Sequence, residues 1–159
     1  MPFLMELLFL WPGRTKNPHL RALQEDYLAR LRMLGGARII ETAEARGLKE
    51  SSPEKILERE AEGLEKHLKD GYIICLSDKG KMMTSKELAR LIDRQAMVSA
   101  RRIIFLVGGF LGLASRLLDR ADLKLSLSPM TFSHELTRVV LLEQAYRAMN
   151  LIKGYAYPK

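Results

Sequence analysis

The chain has little of several things, and each scarcity removes a class of function. One cysteine in 159 residues, Cys75, cannot close an internal disulfide. Its place in the apolar run Tyr72 to Leu76 marks a buried strand residue rather than a reactive thiol. The three histidines, His19, His67 and His134, stand far apart with no ligand spacing, so no metal site is expected. Neither a phosphate-loop lysine motif nor G-x-S-x-G occurs. The apolar start, Phe3 to Trp11, is interrupted by Pro12, Gly13 and Arg14 far short of a membrane span, with no basic segment before it and no small-residue cleavage pattern after it. The expectation is a cytoplasmic protein without membrane contact. Internal repeats and low-complexity tracts are absent.

What is present describes an ordinary globular chain, 47% hydrophobic and 28% charged, long enough to bury a core as a single domain over residues 1–159. Lysine and arginine number 26 against 19 acids, a formal net charge of +7. The charge is uneven: Glu54 to Asp70 holds six acids and four bases, net −2, so the remainder carries +9. Charge alone leaves a solvated basic surface and a nucleic-acid partner as equal readings.

Along the chain, Phe3 to Leu10 reads as a buried strand. Leu20, Leu23, Tyr27, Leu28, Leu31 and Leu34 then recur at helical steps until Gly35 and Gly36 stop them. Arg38 to Thr42 is a second strand and Ala43 to Ser52 a polar loop. Ser52 and Pro53 open a helix carrying Ile56, Leu57, Ala61, Leu64 and Leu68. Tyr72 to Ser77 is strand three, Asp78 to Lys81 a tight polar turn, and Thr84 or Ser85 the cap of the next helix. Strand four, Ile103 to Val107, runs into Gly108-Gly109-Phe110-Leu111-Gly112 and a short helix, Leu113 to Asp119. Leu125 to Ser128 alternates as a strand that Pro129 stops, and a long helix starts at His134. Five strand–helix alternations with continuously apolar strands predict an α/β fold, a mostly parallel sheet with helices on both faces. The last helix is apolar nearly all round (Leu136, Val139, Val140, Leu141, Leu142, Ala145, Tyr146, Met149). A single sheet covers only one side of it, so the other side is expected to meet a second copy, giving a homodimer.

Ligands of open parallel sheets bind outside the carboxyl ends of the strands. Three loops qualify: Leu76 to Gly80, Gly108 to Gly112 and Leu127 to Ser133. G-G-x-x-G is not the dinucleotide fingerprint, and no acidic residue follows a partner strand at the expected distance, which argues against a Rossmann oxidoreductase. Taken alone, a glycine loop after a strand is more often a plain turn, and His134 more often a helix-start or core histidine than a base. Glu143 and Arg147, four apart, read first as a local ion pair.

Three features occur jointly: IIFLVGGFLGL (103–113), LSLSPMTFSHELTRVVLLEQAYRAMNLIKG (125–154) and a tyrosine near the carboxyl end. Together they closely resemble the SPOUT-class methyltransferases that make N3-methylpseudouridine in bacterial large-subunit (23S) ribosomal RNA. The resemblance covers essentially the whole chain and is densest after Tyr72. It implies a carboxyl-terminal trefoil knot, a homodimer, S-adenosyl-L-methionine as cofactor, no metal, and ribosomal RNA in the large subunit or whole ribosome as substrate, around helix 69. Carried over by position, the cofactor pocket comprises Leu76, Gly108, Leu127, Ser128, Pro129, Met130, Thr131 and Phe132, in the same three loops. The catalytic candidates are His134, Arg138 and Tyr157, with Arg147 and Lys159 holding phosphate or the partner subunit. The chain departs from the family pattern at three places. Pro158 follows Tyr157 where a histidine is usual, Phe110 and Leu111 replace small or polar residues, and Trp11-Pro12-Gly13-Arg14 replaces a glycine–lysine start of the first loop. Two rival readings remain: a knotted RNA-binding or ribosome-assembly module that binds the cofactor without efficient catalysis, and a nucleotide-binding protein of doubly wound fold.

Overall fold

A computed structural model describes residues 5–45, 52–98 and 101–157. Strand and helix alternate five times: β1 (Glu6–Pro12), α1 (Pro18–Leu34), β2 (Gly36–Thr42), α2 (Pro53–Glu65), β3 (Tyr72–Met82), α3 (Ser85–Met97), β4 (Arg102–Leu106), α4 (Ser115–Arg120), β5 (Leu123–Ser126) and α5 (His134–Lys153). The strands lie in the order β2-β1-β4-β3-β5, and every pairing between them is parallel.

The apolar strands are buried on both faces, with side chains dividing at the period of two that a pleated backbone imposes. Leu8, Leu10, Ile73, Cys75, Ile104 and Leu106 meet Ala61 and Leu64 of α2 and Leu117 of α4. Leu7, Phe9, Trp11, Ile74, Ile103, Phe105 and Val107 face the layer of α1, α3 and α5. Phe9 and Phe105 are opposite one another on β1 and β4, their rings stacked at 5.2 Å.

Several boundaries differ from those expected. β1 runs on through Trp11 and Pro12, because Pro12 takes the last rung opposite Thr42, where a missing N–H does little harm. Phe3 and Leu4 lie outside the described residues, as do 46–51 of the polar loop. α4 begins at Ser115 rather than Leu113. β5 ends at Ser126 rather than Ser128: the Ser126 hydroxyl donates to the Ser128 carbonyl, and the Ser128 hydroxyl accepts from Met130 N–H, so the chain turns before Pro129.

The largest correction concerns Asp78 to Lys81. Instead of ending β3 in a tight turn, the chain swings out after Leu76 and returns to the same partner. Leu76 and Lys81 both pair with Leu125, and Met82 pairs with Ser126. Gly80 makes the return possible, since a Cβ there would lie 2.7 Å from the Lys124 carbonyl carbon and oxygen.

α5 also departs from its expected setting. Its apolar circumference is covered within the chain by the sheet and by α1 and α3, through the Tyr27–Tyr146 ring contact at 6.2 Å and the Ser85 hydroxyl donating to Gln144 Oε1 at 2.6 Å. A second copy is therefore not needed to explain its burial. Large apolar side chains open on this layer are Leu23 and Met33 on α1, Met97 on α3, and Leu136 and Leu151 on α5.

Gly80→Ala is expected to lower unfolding stability by about 1–3 kcal/mol, the cost of forcing a methyl group into filled space. Urea denaturation measures it, and an unmoved midpoint would mean β3 and β5 can separate freely there.

Candidate active site at the carboxyl edge of the sheet

The ends of β3, β4 and β5 enclose a cleft of about 600 Å³, within the usual range for small-molecule sites. Residues 76–79, 107–113, 125–128 and 130–134 line it, with Leu118 and Thr137. The three loops singled out from the sequence thus converge. Leu76, Gly108, Leu127, Ser128, Met130, Thr131 and Phe132 all line the cleft. Pro129 is exposed and turns the loop rather than lining it. Among the lining residues Asp78 and Lys79, within the expected ligand loop Leu76 to Gly80 but not singled out there, supply a carboxylate and an ammonium.

The glycine loop is shaped by its own backbone. The chain doubles back after β4, Gly112 N–H donates to the Gly109 carbonyl at 3.0 Å, and Gly112 adopts φ +79°. A Cβ on Gly108 would overlap the Gly112 backbone, so this wall exists only without a side chain.

His134 is the first residue of α5, after Ser133, whose hydroxyl accepts from Leu136 N–H. It lines the cleft half-buried. Burial first, and the positive charge of Arg138 second, hold its pKa below the ordinary histidine value, so the imidazole is neutral at neutral pH.

Arg138, a catalytic candidate from the sequence, is absent from the cleft wall. It is 1% exposed, donating from Nη2 to the Pro12 carbonyl at 2.8 Å and from Nη1 to the Gly13 carbonyl at 3.1 Å and Thr15 Oγ1 at 2.9 Å. Its guanidinium lies 5.0 Å from the centre of the Trp11 ring. Desolvation pulls its pKa down to about 10, which leaves it cationic at neutral pH. Thr15 passes the network on to Gln24, and Glu41 accepts from Trp11 Nε1 and Thr15 N–H. Glu135, which sequence reasoning missed, accepts from the backbone N–H groups of Lys16 and Asn17 at 2.8 and 3.0 Å. No sequence signal could have found these contacts, because the partners stand more than a hundred residues apart.

Tyr157, another catalytic candidate, is not placed in the cleft of its own chain. Its hydroxyl donates to Glu143 Oε1 at 3.1 Å, its ring meets Tyr146 edge-on, and Arg147 lies over it. Glu143 is nine residues along α5 from His134, roughly 13 Å at helical rise. Burial and the Tyr27 and Glu143 contacts push the phenol pKa up to about 12, so it stays protonated. Arg147 forms the expected i,i+4 ion pair with Glu143 at 2.9 Å, and Lys159 lies outside the described residues. Cys75 is fully buried, its thiol pushed up to about 12 by burial, in accord with an inert strand residue. Among the described residues no group of three or more His, Cys, Asp or Glu gathers to hold a metal, and no helix is long and apolar enough to cross a membrane.

An all-parallel sheet whose last three strands open into one loop-lined cleft defines an α/β protein with a small-molecule site at its carboxyl edge. Residues 5–157 match the family described as "Predicted SPOUT methyltransferase", and the chain belongs to that family. Among curated relatives, the ribosomal RNA large subunit methyltransferase H of Alkaliphilus oremlandii is 38% identical, over 98% of this chain and 100% of the relative. The protein of the same name from Bacillus pumilus is also 38% identical with the same coverage. Among solved structures, a probable methyltransferase from Bordetella pertussis Tohama I superposes with TM-score 0.57 at 12% identity, over 92% of this chain and 97% of that one. A Legionella pneumophila structure solved with bound SAM gives 0.50 at 13% identity, over 93% and 66%. At such identities the two structures speak for the fold alone.

Replacing Arg138 by methionine should cost about 3–5 kcal/mol, because the buried Pro12 and Gly13 carbonyls and Thr15 Oγ1 lose their donor. Arg138→Lys, which keeps the charge but not the fork, should recover only part of this. Equal midpoints for wild type and Arg138→Met in urea would remove the residue from the loop's support.

Proposed function

We propose that the protein transfers a methyl group from S-adenosyl-L-methionine to N3 of a pseudouridine in large-subunit ribosomal RNA, around helix 69, acting as a cytoplasmic, knotted homodimer. The observation that carries the reading is the convergence of residues 76–79, 107–113 and 125–134 in one cleft, in a chain of the SPOUT methyltransferase family. The full-length relatives named for methylation of large-subunit ribosomal RNA support the substrate class. The return of β3 to β5 at Lys81, with Gly80 pressed on the Lys124 backbone, brings main chain against main chain at the carboxyl edge, which supports a compact threaded arrangement there. Exposed Leu23, Leu136 and Leu151 offer apolar surface to a second copy.

The residues present suit the cofactor. Backbone approach at Gly108, apolar walls from Leu76, Val107, Leu125 and Leu127, and the Asp78 carboxylate with the Lys79 ammonium suit an adenine, the carbon chain around the sulfonium, and the ammonium and carboxylate of the methionyl end. When bound, the cofactor supplies a methyl group already activated by a sulfonium, so the protein's main task is alignment. The chain's own work lies at the nucleophile. N3 carries a proton at neutral pH, and its lone pair becomes available as that proton leaves. His134, neutral and half-buried in the cleft wall, is the group placed to accept it. Tyr157, a protonated phenol, can serve only as a hydrogen-bond donor or orienting group, and its hydroxyl is held by Glu143 outside the cleft of its own chain. Arg138 positions the β1–α1 loop beside His134 and touches no reactant.

Methyl transfer to ribosomes lacking the modification, followed by mass spectrometry of the RNA, tests the reading. Transfer to one large-subunit pseudouridine is expected, and its absence with intact S-adenosylhomocysteine binding would favour the assembly module. Gly108→Val should abolish S-adenosylhomocysteine binding in calorimetry, and unchanged affinity would displace the pocket.

The titration of His134 gives a separate expectation. Because its pKa is lowered from the ordinary 6.5, more than half of the imidazole is proton-free at that pH. The acid limb of kcat/KM should therefore fall below pH 6.5. In His134→Asn that limb should vanish, with a rate loss of about 10²–10⁴-fold. A limb at or above 6.5, or one that survives the substitution, would assign the proton elsewhere.

A further inference from the structure

Resting on the RNA methyltransferase reading above, we infer that Phe110 is a stacking platform for a base of the RNA substrate, displayed at the lip of the cleft.

Phe110 occupies a central position of the turn Gly109 to Gly112, with Leu111 beside it. Leu111 is half-buried, whereas Phe110 is 87% exposed although it lines the cleft. It belongs to neither apolar core cluster among the described residues. An exposed phenyl contributes nothing to the fold through burial, and the turn beneath it is stiffened by the Gly112-to-Gly109 hydrogen bond and the packing of Gly108 against Gly112. The ring is thus presented by a rigid support at the entrance to the site.

Its surroundings favour a nucleic-acid base as the occupant. Lys79, on the outward excursion within β3, lines the same cleft, and Met130, on the loop after β5, is a second apolar side chain there with 77% exposure. A flat apolar face beside an ammonium complements a polymer of planar bases on an anionic backbone, and the chain's net charge of +7 has the matching sign. The chemistry asks for such a face. N3 lies on the Watson–Crick edge, so the reacting base must leave its pair and its stack before the nitrogen can meet the methyl group. An aromatic ring at the entrance replaces part of the lost stacking and holds the strand open. The adenine of the cofactor fits less well against Phe110, since the backbone-lined interior formed by Val107, Gly108 and Leu125 to Ser128 lies deeper in the cleft.

The test compares Phe110→Ala, Phe110→Leu and Phe110→Trp with wild type. Four measurements apply: methyl transfer to unmodified ribosomes, anisotropy with a single-stranded oligonucleotide of the ribosomal RNA, S-adenosylhomocysteine calorimetry and molar mass by light scattering. Alanine and leucine are expected to raise KM and the oligonucleotide Kd by about 5- to 150-fold, the range for loss of one base–aromatic stack, with S-adenosylhomocysteine affinity and molar mass unchanged. Leucine separates a flat face from mere apolarity. Tryptophan is expected to restore binding and to show fluorescence quenching by RNA against the constant background of Trp11, which is fully buried. Three outcomes overturn the inference: unaltered KM and Kd in Phe110→Ala, weakened S-adenosylhomocysteine binding, which assigns the ring to the cofactor, or altered molar mass, which assigns it to a second copy. If wild type binds the oligonucleotide but transfers no methyl group, the enzymatic reading falls and the binding comparison still decides Phe110. If wild type binds no RNA, both fall.

Discussion

The cleft exists because main chain can approach main chain at two places where any side chain would intrude. At Gly80 the returning end of β3 presses on the Lys124 and Leu125 backbone, and at Gly108 the loop after β4 closes on Gly112. Both contacts lie at the carboxyl edge of a parallel sheet, where strand ends diverge and loops are ordinarily free to splay. Here the loops are drawn together instead, so that β3, β4 and β5 end in one concave surface. The apolar layers on either face of the sheet stabilise the strands, but they would do so equally well around loops that pointed apart.

The other wall depends on a different constraint. α5 carries His134 at its first position, and a cleft residue on a helix is only as well placed as the helix. Glu135 grips the N–H groups of Lys16 and Asn17, while Arg138 grips the carbonyls of Pro12 and Gly13, so one turn of α5 satisfies donors and acceptors of the same loop. This loop is short and polar, and Arg138 supplies the side-chain donors to the buried carbonyls of Pro12 and Gly13. The two attachments oppose each other in charge and in direction, which resists both sliding and rotation of the helix end.

Much of this architecture was legible in the sequence, for physical reasons that also explain the failures. Runs such as IIFLV and YIICL are apolar because both sheet faces are covered, so the strands and their parallel arrangement could be read directly. The three ligand loops followed from where strands end. The polar stretch Ser77 to Met82 carried no strand signal, because its pairing with Leu125 and Ser126 depends on a return after an outward excursion. Arg138 reads identically in sequence whether its guanidinium faces a ligand or the carbonyls of Pro12 and Gly13. The circumference of α5 did announce burial, but it could not say by what: α1 and α3 supply the cover that had been ascribed to another copy. Tyr157 shows a related limit, since a tyrosine near the carboxyl end reads the same whether its hydroxyl reaches the cleft or, as here, Glu143.

The pairing of Arg138 with His134 also bears on how a proton would move. In many acid–base sites a carboxylate beside the imidazole raises its pKa and stabilises the imidazolium once formed. Here desolvation and a fixed cation one turn away outweigh the opposing influence of Glu135 and Glu44, so the charged ring is disfavoured on balance. Such a histidine is ready to accept a proton at neutral pH but poorly suited to keep it. Its half-exposed position resolves the difficulty, because the proton can pass to water as soon as the nitrogen it left has been methylated. On the proposed reading His134 therefore works as a relay rather than a reservoir. The guanidinium that fixes the β1–α1 loop also sets that behaviour through its field, without entering the cleft.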